Sequence, residues 1–590
     1  MCGIVASMEL RGNSDNIALD ALKKLEYRGY DSFGFKNNLE DPFKFVGAIS
    51  KVDFSAKLNP LSKLTIAHTR WATHGVVSEV NTHPHQSHNK LFTVVHNGVI
   101  TNFKDVMSTL SKAGVPPCVS STDTEVISQV LEYVYGVLVN KTSFVDIVSN
   151  ALLALEGEFA ICVTSPLWPN EVVCTKHKSP LVAGLLSKSA MISSDQNALP
   201  TKFGQCIELQ DFEILHLTLE RDLFIQPNLY YRDRDCALKL ETRFRYIQRD
   251  QAHLDSSLGD SPNYMWREMQ EIPKSLEVAS RIDLNSECIE LANKDAVFIG
   301  CGSAYYVAQI GNKYKLDSKS RALAFPADEL SETYSPRESD ILVCISQSGE
   351  TYDTLEPART HLDKGGHVLS ITNRKASTLA KISSHSVYQD VGVEHCVLAT
   401  KSVVSQCAIL YRLFSKEDAS LSRLSRVWAH FFRDVNLNHI QALAKSCVGT
   451  DNFFFVGRGI YLPVAFECAL KLKEVTYCHA EGMGGGFFKH GTLSLIDDRF
   501  IVFAHIPSRE ISPQAHALME ANVSEIECRN GRVVRIGVDE DCDIRIPNVS
   551  KHLNPLLHLG VGQYLAYFLA QELGRDVDRP RSLAKSVTVR

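Results

Sequence analysis

Short apolar runs rich in β-branched residues dominate the first part of the chain, with few long helical patterns between them. Such runs predict strands, and apolar residues at spacings of three or four predict helices. The predicted strands span residues 93–95, 159–163 and 172–174, and the predicted helices span residues 17–25 and 124–133. We therefore expect a layered α+β domain over residues 2–235.

A polar stretch, residues 236–262, comes next and is predicted to be a linker between domains. Beyond it, apolar residues recur at helical spacing at Met265, Met269, Ile272 and Leu276. This spacing predicts a helix that leads into the next unit.

From residue 295 onward the pattern changes to buried strand, small-residue turn and helix. Residues 296–299 lead into Gly300 and a helix, and residues 341–345 lead into a hydroxyl-rich turn and another helix. Such turns predict a parallel, doubly wound α/β sheet with its ligand at the carboxyl ends of the strands. The pattern recurs about 160 residues later, where Gly457 corresponds to Gly300, which indicates an internal duplication. The predicted domains are residues 263–430 and 431–575, followed by a C-terminal tail over residues 576–590.

The composition is that of a globular protein, with 44% apolar residues, 22% charged residues and a formal charge of −6 over 590 residues. No basic block is visible that could hold a nucleic-acid backbone, so we expect neither DNA nor RNA as a partner. No apolar run of about 18 residues and no signal-peptide pattern is visible. We therefore expect no membrane association and a cytoplasmic location.

The 16 cysteines include no Cys-x-x-Cys pair, so neither a zinc ribbon nor a dithiol redox motif is predicted. The histidine-rich stretch 83–88 contains a proline and lacks the helical spacing of a zinc site. This favours a structural role for the stretch. We expect neither a metal ion nor an organic cofactor.

Cys2 stands next to Gly3 at the start of the chain. Removal of Met1 gives this cysteine a free α-amine beside its thiol, and an amine with a pKa of about 8 can accept the thiol proton. The stretch therefore allows a nucleophile that carries its own base. The alternative, from this stretch alone, is an ordinary small buried residue in the first strand.

Four further motifs favour the nucleophile, and together with Cys2 they resemble the N-terminal-nucleophile glutaminase domain of glutamine-dependent amidotransferases. The motifs are LEYRGYDS at residues 25–32, HTRWATHG at 68–75, VHNG at 95–98 and STDTE at 121–125. The resemblance implies that Cys2 attacks the side-chain amide of glutamine and that Asn97 and Gly98 form the oxyanion hole. The implied glutamine-binding residues are Arg70, Trp71, Thr73, His74 and Asp123, and Trp71 is also implied as the ammonia gate.

Hydroxyl and amide side chains gather at the turns after two predicted strands of the first α/β domain. They are Ser303 after the first strand, and Ser346, Gln347, Ser348 and Thr351 after the next. Two such turns at helix N-termini can hold a phosphate without a lysine. The alternative is a pair of tight turns that use serine as a helix N-cap. The second copy lacks this hydroxyl set, so we expect the phosphate in the first copy alone.

The turn sequences GCGSAYY and SQSGET, together with the duplication, resemble paired sugar-isomerase (SIS) domains. The final run, residues 576–589, is similar to the tail of the isomerising glutamine–fructose-6-phosphate aminotransferase family, whose order both halves follow over nearly the whole chain. The resemblance implies an enzyme that converts fructose 6-phosphate and glutamine to glucosamine 6-phosphate and glutamate, passes ammonia internally and begins hexosamine synthesis. The implied sugar-phosphate-binding residues are Cys301, Gly302, Ser303, Ser346, Gln347, Ser348, Thr351, Val397 and Ala584.

The resemblance also implies how the isomerase works. Lys585 forms an imine with the open-chain ketose, Glu474 moves a proton between C1 and C2, and Lys471 supports the intermediate. His490 opens the sugar ring from the neighbouring subunit, which implies a homodimer or a higher homo-oligomer. On spacing alone, Lys471 and Glu474 share a helix face and are more often a solvated surface pair.

Two positions depart from the family pattern, because Ala304 and Ala399 stand where hydroxyl side chains are usual. Each change removes a hydrogen bond worth about 1 kcal/mol or more if its partner is left unpaired. Two alternatives therefore stay open. One is the same two-site chemistry on another keto-sugar phosphate, and the other is a non-catalytic sugar-phosphate sensor.

Overall fold

A computed structural model describes residues 2–72, 75–138, 142–220, 223–232, 237–241, 243–248, 258–317, 320–415 and 420–587. The chain divides into two compact units. The first unit comprises Met1–Leu254 and Ser586–Arg590, and the second comprises Asp255–Lys585.

The first unit is built on two antiparallel sheets. Its strands are β1 (Gly3–Glu9), β2 (Ser32–Asn37), β3 (Phe43–Val46), β4 (Leu64–Arg70), β5 (His85–Gln86), β6 (Thr93–Ile100), β7 (Gly157–Ser165), β8 (Trp168–His177), β9 (Val182–Leu186), β10 (Ser189–Ser193), β11 (Gln205–Glu208), β12 (Ile214–Glu220), β13 (Phe224–Arg232), β14 (Leu238–Glu241) and β15 (Tyr246–Gln248). Its helices are α1 (Ser14–Lys23), α2 (Phe103–Lys112), α3 (Glu125–Val137) and α4 (Phe144–Ala151). One sheet has eight strands in the order β15-β11-β9-β10-β1-β4-β2-β3, and the other has seven in the order β14-β13-β12-β8-β7-β6-β5.

The first strand shows why both faces of its sheet are buried. Side chains alternate between the two faces of a strand. Ile4 and Ala6 pack in an apolar cluster with Val95 and other residues of the second sheet, whereas Val5 packs in a cluster that includes α1. Helices α2, α3 and α4 cover the far face of the second sheet. The unit is therefore layered helix, sheet, sheet, helices, and the predicted α+β class is confirmed.

Two short strands fall inside the stretch that the sequence predicts as a linker. β14 pairs with β13 and β15 pairs with β11, so both belong to the sheets of the first unit. The boundary between the two units falls after Leu254. The individual domain limits given above stay predictions.

The second unit contains two parallel sheets. Its strands are β16 (Ala296–Gly300), β17 (Ala322–Pro326), β18 (Ile341–Ile345), β19 (His367–Thr372), β20 (His385–Tyr388), β21 (Asn452–Gly457), β22 (His479–Gly484), β23 (Phe500–His505), β24 (Arg532–Gly537) and β25 (Ile544–Arg545). Its helices are α5 (Tyr264–Gln270), α6 (Ile272–Arg281), α7 (Ser286–Asn293), α8 (Ser303–Asp317), α9 (Leu330–Thr333), α10 (Tyr352–Asp363), α11 (Thr378–Ile382), α12 (Lys401–Phe414), α13 (Leu421–Phe431), α14 (Asp434–Ser446), α15 (Tyr461–Thr476), α16 (Gly485–Phe488), α17 (Pro513–Glu527) and α18 (Asn554–Glu572).

The two parallel sheets share one strand order. The first runs β17-β16-β18-β19-β20 and the second runs β22-β21-β23-β24-β25, so in each the first strand lies between the second and the third. Every pairing recorded in these sheets is parallel. The predicted duplication and the doubly wound parallel sheets are therefore confirmed. In this arrangement ligands bind beyond the carboxyl ends of the strands, where the strand order reverses.

Helix α18 is buried almost all round and contacts α14 and α15 of the second sheet domain. Its side chains belong to one apolar cluster that also takes in residues of α5, α6, α8 and α12. One apolar core therefore supports α5, α8, α12 and α15, which carry polar side chains of the candidate site described below. Within the described part of the chain, no helix is long and apolar enough to cross a lipid bilayer.

Candidate active sites

The Cys2 thiol lies just before β1, beside the end of β4. Its Sγ accepts a hydrogen bond from the backbone N–H of Trp71 at 3.3 Å and lies 3.6 Å from the Trp71 carbonyl oxygen. Pairing of Gly3 with Thr69 fixes this position, because it places the start of β1 against the end of β4. Burial raises the pKa of the Cys2 thiol, so the thiol is protonated at rest and needs a base before it can attack.

Asn97 lies on β6 beside Cys2, and its amide is held in one orientation. Nδ2 donates to the Cys2 carbonyl oxygen at 2.7 Å, and Oδ1 lies 3.1 Å from His68 Nε2. His68 Nε2 also lies 2.9 Å from the carbonyl oxygen of His96, and since both neighbours are acceptors, this nitrogen carries the hydrogen. Burial lowers the pKa of His68 to about 3, so the ring is neutral.

Arg70 ends β4 on the same side of the unit as Cys2. Its guanidinium donates to the carbonyl oxygen of Gly75 at 3.2 Å and is close enough to Cys2 and Asp123 to stabilise the charged form of each. Asp123 is buried and accepts a hydrogen bond from the backbone N–H of Ile100 at 2.8 Å. The structure thus brings Cys2, Arg70 and Asp123 into one region. The predicted glutamine-binding residues Thr73 and His74 lie outside the described residues.

Two histidines of the histidine-rich stretch, His83 and His85, belong to a buried cluster of rings. His83 stacks on His68 at 4.0 Å between ring centroids and meets His85 edge-on at 4.7 Å. Burial lowers the pKa of His83 and of His85 well below its ordinary range, so both are neutral. Among the residues that the structure describes, no group of three or more histidine, cysteine or carboxylate side chains is placed to hold a metal ion.

The hydroxyl-rich turn after β18 is ordered by bonds within itself. Ser346 Oγ lies 2.9 Å from Thr351 Oγ1 and accepts the Gly349 N–H at 3.0 Å. Ser348 Oγ accepts the N–H of Glu350 at 3.1 Å. The Gln347 carbonyl oxygen accepts the N–H of Asn373 at 3.0 Å, which ties the turn to the end of β19. These contacts hold the turn at the carboxyl edge of the sheet.

Ser303 and its neighbours Cys301 and Gly302 form the turn after β16. Ser303 is buried and its hydroxyl accepts a hydrogen bond from Lys471 Nζ at 3.0 Å. This contact joins the first sheet domain to α15 of the second. Cys301 Sγ lies 3.8 Å from Thr354 Oγ1, at the start of the helix that follows the hydroxyl-rich turn.

Lys471 is buried between two carboxylates on its own helix. Its Nζ lies 2.7 Å from Glu474 Oε2 and 3.5 Å from Glu467 Oε1, and the side chain is 1% exposed. Burial by itself lowers the pKa of Lys471, but the two carboxylates outweigh burial and raise it above its ordinary value. Burial also raises the pKa of Glu467 to about 7. The surface-pair interpretation of Lys471 is therefore wrong, because the α15 face that carries it packs inward.

Lys585 lies in the tail and is held by the loop before α12. Its ammonium donates to Glu394 Oε2 and, at 3.2 Å, to the carbonyl oxygen of Leu398. In the same loop, the backbone N–H of Val397 donates to the carbonyl oxygen of Asp578 at 3.1 Å, which fixes the tail. Ala584 is half-buried beside Lys585.

His490 stands apart from this arrangement. Its side chain is exposed, and its ring is 6.4 Å from that of Phe487, which is 68% exposed. No hydrogen bond or ion pair from its ring to Glu474 or Lys585 is recorded among the described residues. Within one subunit, His490 is thus not brought to the other predicted sugar-site residues.

The sequence prediction did not name three buried carboxylates of the second unit: Glu268, Glu394 and Glu467. Glu467 lies four residues before Lys471 and on its helix face, so helical spacing could have indicated it. Glu268 and Glu394 come from separate segments and meet only through packing. No short motif indicates such a pair.

The comparisons with known proteins agree with both halves of the chain. Residues 68–201 match the glutamine amidotransferase domain family, and residues 291–416 and 449–530 match the SIS domain family. The isomerizing glutamine–fructose-6-phosphate aminotransferases of Methanococcus maripaludis and Thermotoga maritima are 31% identical over 622 residues and 32% identical over 637 residues. Each alignment covers 100% of this chain and 100% of the relative.

A solved structure is similar to the second unit. The C-terminal domain of glucosamine-fructose-6-phosphate aminotransferase from Francisella tularensis aligns with 55% of this chain and 100% of its own, at 25% identity and a TM-score of 0.50. The fold and the family matches together define a glutamine amidotransferase joined to a pair of SIS domains. Identity above 30% to the two relatives over the full length of the chain then identifies one family within this class. The chain belongs to the family of isomerizing glutamine–fructose-6-phosphate aminotransferases, as the sequence predicts.

Proposed function

We propose that this chain transfers the amide nitrogen of glutamine to fructose 6-phosphate and releases glucosamine 6-phosphate and glutamate. The observation that carries the proposal is full-length similarity to relatives of that name, in a chain that keeps Cys2, Glu474 and Lys585. Ammonia passes internally from the glutaminase site to the sugar site.

In the glutaminase reaction the Cys2 thiolate attacks the carboxamide carbon of glutamine. The α-amine left after removal of Met1 takes the thiol proton and returns it to the leaving ammonia. The Asn97 amide and the Gly98 N–H face the developing oxyanion, and the Asn97–His68 bond supports this role by fixing which end of the amide donates. Arg70 and Asp123 bind the carboxylate and ammonium of glutamine, and water then hydrolyses the γ-glutamyl thioester to glutamate.

In the sugar reaction the turns at residues 301–303 and 346–351 bind the phosphate, with Val397 and Ala584 beside the sugar. Lys585 forms an imine with C2 of the open-chain ketose and water leaves. Ammonia then displaces the Lys585 amine from C2, so the sugar keeps the transferred nitrogen as its own imine. Glu474 moves a proton between C1 and C2, and the ammonium of Lys471 steers that carboxylate from 2.7 Å away. A buried ammonium beside the reacting carbons favours the enolate-like intermediate, since little water screens it.

A homodimer completes the sugar site. His490 is exposed in one subunit, and the exposed Phe487 and Leu495 beside it in sequence offer apolar surface to a partner. We propose that this segment enters the neighbouring subunit, where His490 opens the sugar ring. The cytoplasmic location and the domain limits given above belong to the same proposal.

A second candidate is the same chemistry on another keto-sugar phosphate. It is favoured by Ala304 and Ala399, which remove two hydroxyl groups near the implied phosphate site. A panel of keto-sugar phosphates at equal concentration tests it. Fructose 6-phosphate as the acceptor with the highest kcat/KM supports the first proposal, and a higher value for another sugar supports the second.

Separation of the two sites tests the proposal as a whole. Cys2→Ala removes the nucleophile, so we expect glutamine-dependent formation of amino sugar to be lost while isomerisation of fructose 6-phosphate persists. Glutamine hydrolysis and sugar isomerisation are measured in the same preparation. Loss of both activities in a folded variant contradicts two separable sites, and measurable turnover excludes a silent sugar-phosphate sensor.

A further inference from the structure

Glu268 is a buried carboxyl group to which the proposed function gives no role. It lies on α5 and is 1% exposed. Its Oε1 accepts the backbone N–H of Cys396 at 3.1 Å, and its Oε2 lies 3.1 Å from Thr400 Oγ1. It therefore reaches into the loop that holds Lys585.

Thr400 connects Glu268 to the partner of Lys585. Thr400 Oγ1 lies 3.2 Å from Glu394 Oε1, so one hydroxyl stands between two buried carboxyl groups. A hydroxyl has one proton and can donate it to only one of them. If both carboxyls were ionised, one would face the hydroxyl oxygen without a proton between them, at the cost of an unpaired buried charge. The geometry therefore requires a proton on one carboxyl.

The hydrogen bonds show which carboxyl keeps its charge. Glu394 accepts the N–H groups of Thr400 and Ser402 at 2.9 and 3.0 Å, the Ser402 hydroxyl at 2.8 Å, and the ammonium of Lys585. Among the residues that the structure describes, Glu268 accepts the backbone N–H groups of His395 and Cys396 and otherwise contacts Thr400. The charge therefore belongs on Glu394 and the proton on Glu268. In agreement, burial and then the charge of Glu394 raise the pKa of Glu268 to about 8.

We propose that Glu268 is a positioning residue for imine formation. As a neutral acid it donates a hydrogen bond to the Thr400 hydroxyl, and that hydroxyl in turn donates its own proton to Glu394. Glu394 is thereby held in place to exchange protons with Lys585. The proposal rests on the proposed function, since it concerns the imine assigned to Lys585. Glu394 contacts the reacting nitrogen and is the acid and base of this step.

The proton balance of the step closes within the site. The Lys585 ammonium gives one proton to the Glu394 carboxylate, and the neutral amine forms a C–N bond to C2 of the ketose while the carbonyl π electrons move to oxygen. A second proton moves from that nitrogen to this oxygen, giving a hydroxyl. Glu394 then protonates the hydroxyl, the C–O bond breaks, and water leaves. The products are an iminium ion and the Glu394 carboxylate, which face each other as the ammonium and the carboxylate did.

Ionisation of Glu268 disturbs this arrangement. Two carboxylates then compete for one hydroxyl proton and repel each other across Thr400, which displaces Glu394 from Lys585. Imine formation should therefore weaken as the pH rises through the range in which Glu268 loses its proton. Glu394, Lys401 and Lys585 interact with the charge of Glu268, and the backbone N–H groups of His395 and Cys396 donate to it. The other titratable groups that pack against α5 and its N-cap come from the tail and from α18: Asp578, Tyr564 and Tyr567.

Substitution of Glu268 in the full chain tests the proposal. Glu268→Gln keeps an acceptor for the backbone and a donor for Thr400 but cannot ionise, so isomerisation at neutral pH should stay within about three-fold of the unsubstituted chain. Its rate should not decline above about pH 8, whereas that of the unsubstituted chain should. Glu268→Ala leaves Thr400 without its donor, and we expect a loss of about ten-fold. Glu277→Gln, which changes a carboxyl on α6 whose side chain is 47% exposed, is the matched control and should keep the unsubstituted profile.

Two outcomes would overturn the proposal. One is an unchanged alkaline decline in Glu268→Gln, and the other is a Glu268→Gln variant as impaired at neutral pH as Glu268→Ala. A second readout does not depend on the reaction: infrared spectroscopy of the unsubstituted chain at pH 7 should show a protonated carboxylic acid that Glu268→Gln lacks. Absence of that band contradicts the inference whatever the substrate. The band without turnover of fructose 6-phosphate supports a neutral Glu268 and contradicts the proposed function alone.

Discussion

Replacing Lys471 with methionine should destabilise α15 more than any exposed charge change on that helix. The substitution keeps the length of the side chain but removes an ammonium that lies 2.7 Å from Glu474 and 3.5 Å from Glu467. Removing one partner of a buried ion pair costs about 3–5 kcal/mol, because a charge is left without compensation. We expect the lower end, about 3 kcal/mol, since Glu474 is partly exposed and Glu467 can take up a proton.

The loss of stability in Lys471→Met should increase as the pH rises. Without the ammonium, the folded-state pKa of Glu467 rises further above its value in the unfolded chain. Stability then falls as the pH rises from the unfolded pKa toward the folded one. The deficit of Lys471→Met should therefore be small near pH 5 and largest above pH 7, where the unsubstituted chain keeps its ion pair.

Hydrogen exchange of peptides from α15 measures the effect where it arises, because it reports the free energy of local opening. The matched control is Lys473→Met, which removes an exposed lysine from the same helix. The double variant Lys471→Met with Glu467→Gln should recover part of the protection, since the uncompensated carboxylate is gone. Equal protection in Lys471→Met and Lys473→Met at pH 8 would refute the argument.

Three further substitutions follow from the glutaminase unit. Asn97→Ala removes an oxyanion donor and should lower kcat for glutamine hydrolysis by about 10²–10³, with sugar isomerisation unchanged in the same assay. Gly98→Ala should prevent accumulation of folded chain, measured by soluble yield and circular dichroism, because φ is 129° and the added Cβ would lie 1.9 Å from the carbonyl oxygen of Glu158. Arg28→Met removes the guanidinium that lies 2.6 Å from the buried carboxylate of Asp195 and should lower the free energy of unfolding by about 3–5 kcal/mol in denaturant titrations, whereas an unchanged value would contradict a structural role.

Much of the architecture follows from periodicity in the sequence. The buried strands β16 and β18 and their repeats β21 and β23 are largely apolar runs, and β16 and β21 each end in glycine. Parallel strands covered on both faces produce such runs, so they were predictable. β14 and β15 were not predicted, because both are edge strands of only four and three residues, too short to show a clear alternation of apolar and polar positions.

Some features of the candidate sites could also be predicted from the sequence, and others could not. Lys471 and Glu474 share a helix face by spacing, but spacing does not tell whether that face points outward or inward. Burial is a property of the packed unit, so the inward orientation came from the structure alone. The Asn97–His68 bond and the Glu268–Thr400–Glu394 contact join segments that are far apart in the chain. Side-chain hydrogen bonds between distant segments leave no periodic signal in the sequence.

Transfer of labelled nitrogen is the most direct test of the central claim, which is that two sites in one chain form a single amination reaction. The purified full-length chain is incubated with fructose 6-phosphate and glutamine labelled with ¹⁵N at its amide, and the products are followed by mass spectrometry. The account predicts the label in a hexosamine phosphate that forms together with glutamate. Labelled ammonia without labelled amino sugar, from folded protein, would contradict it.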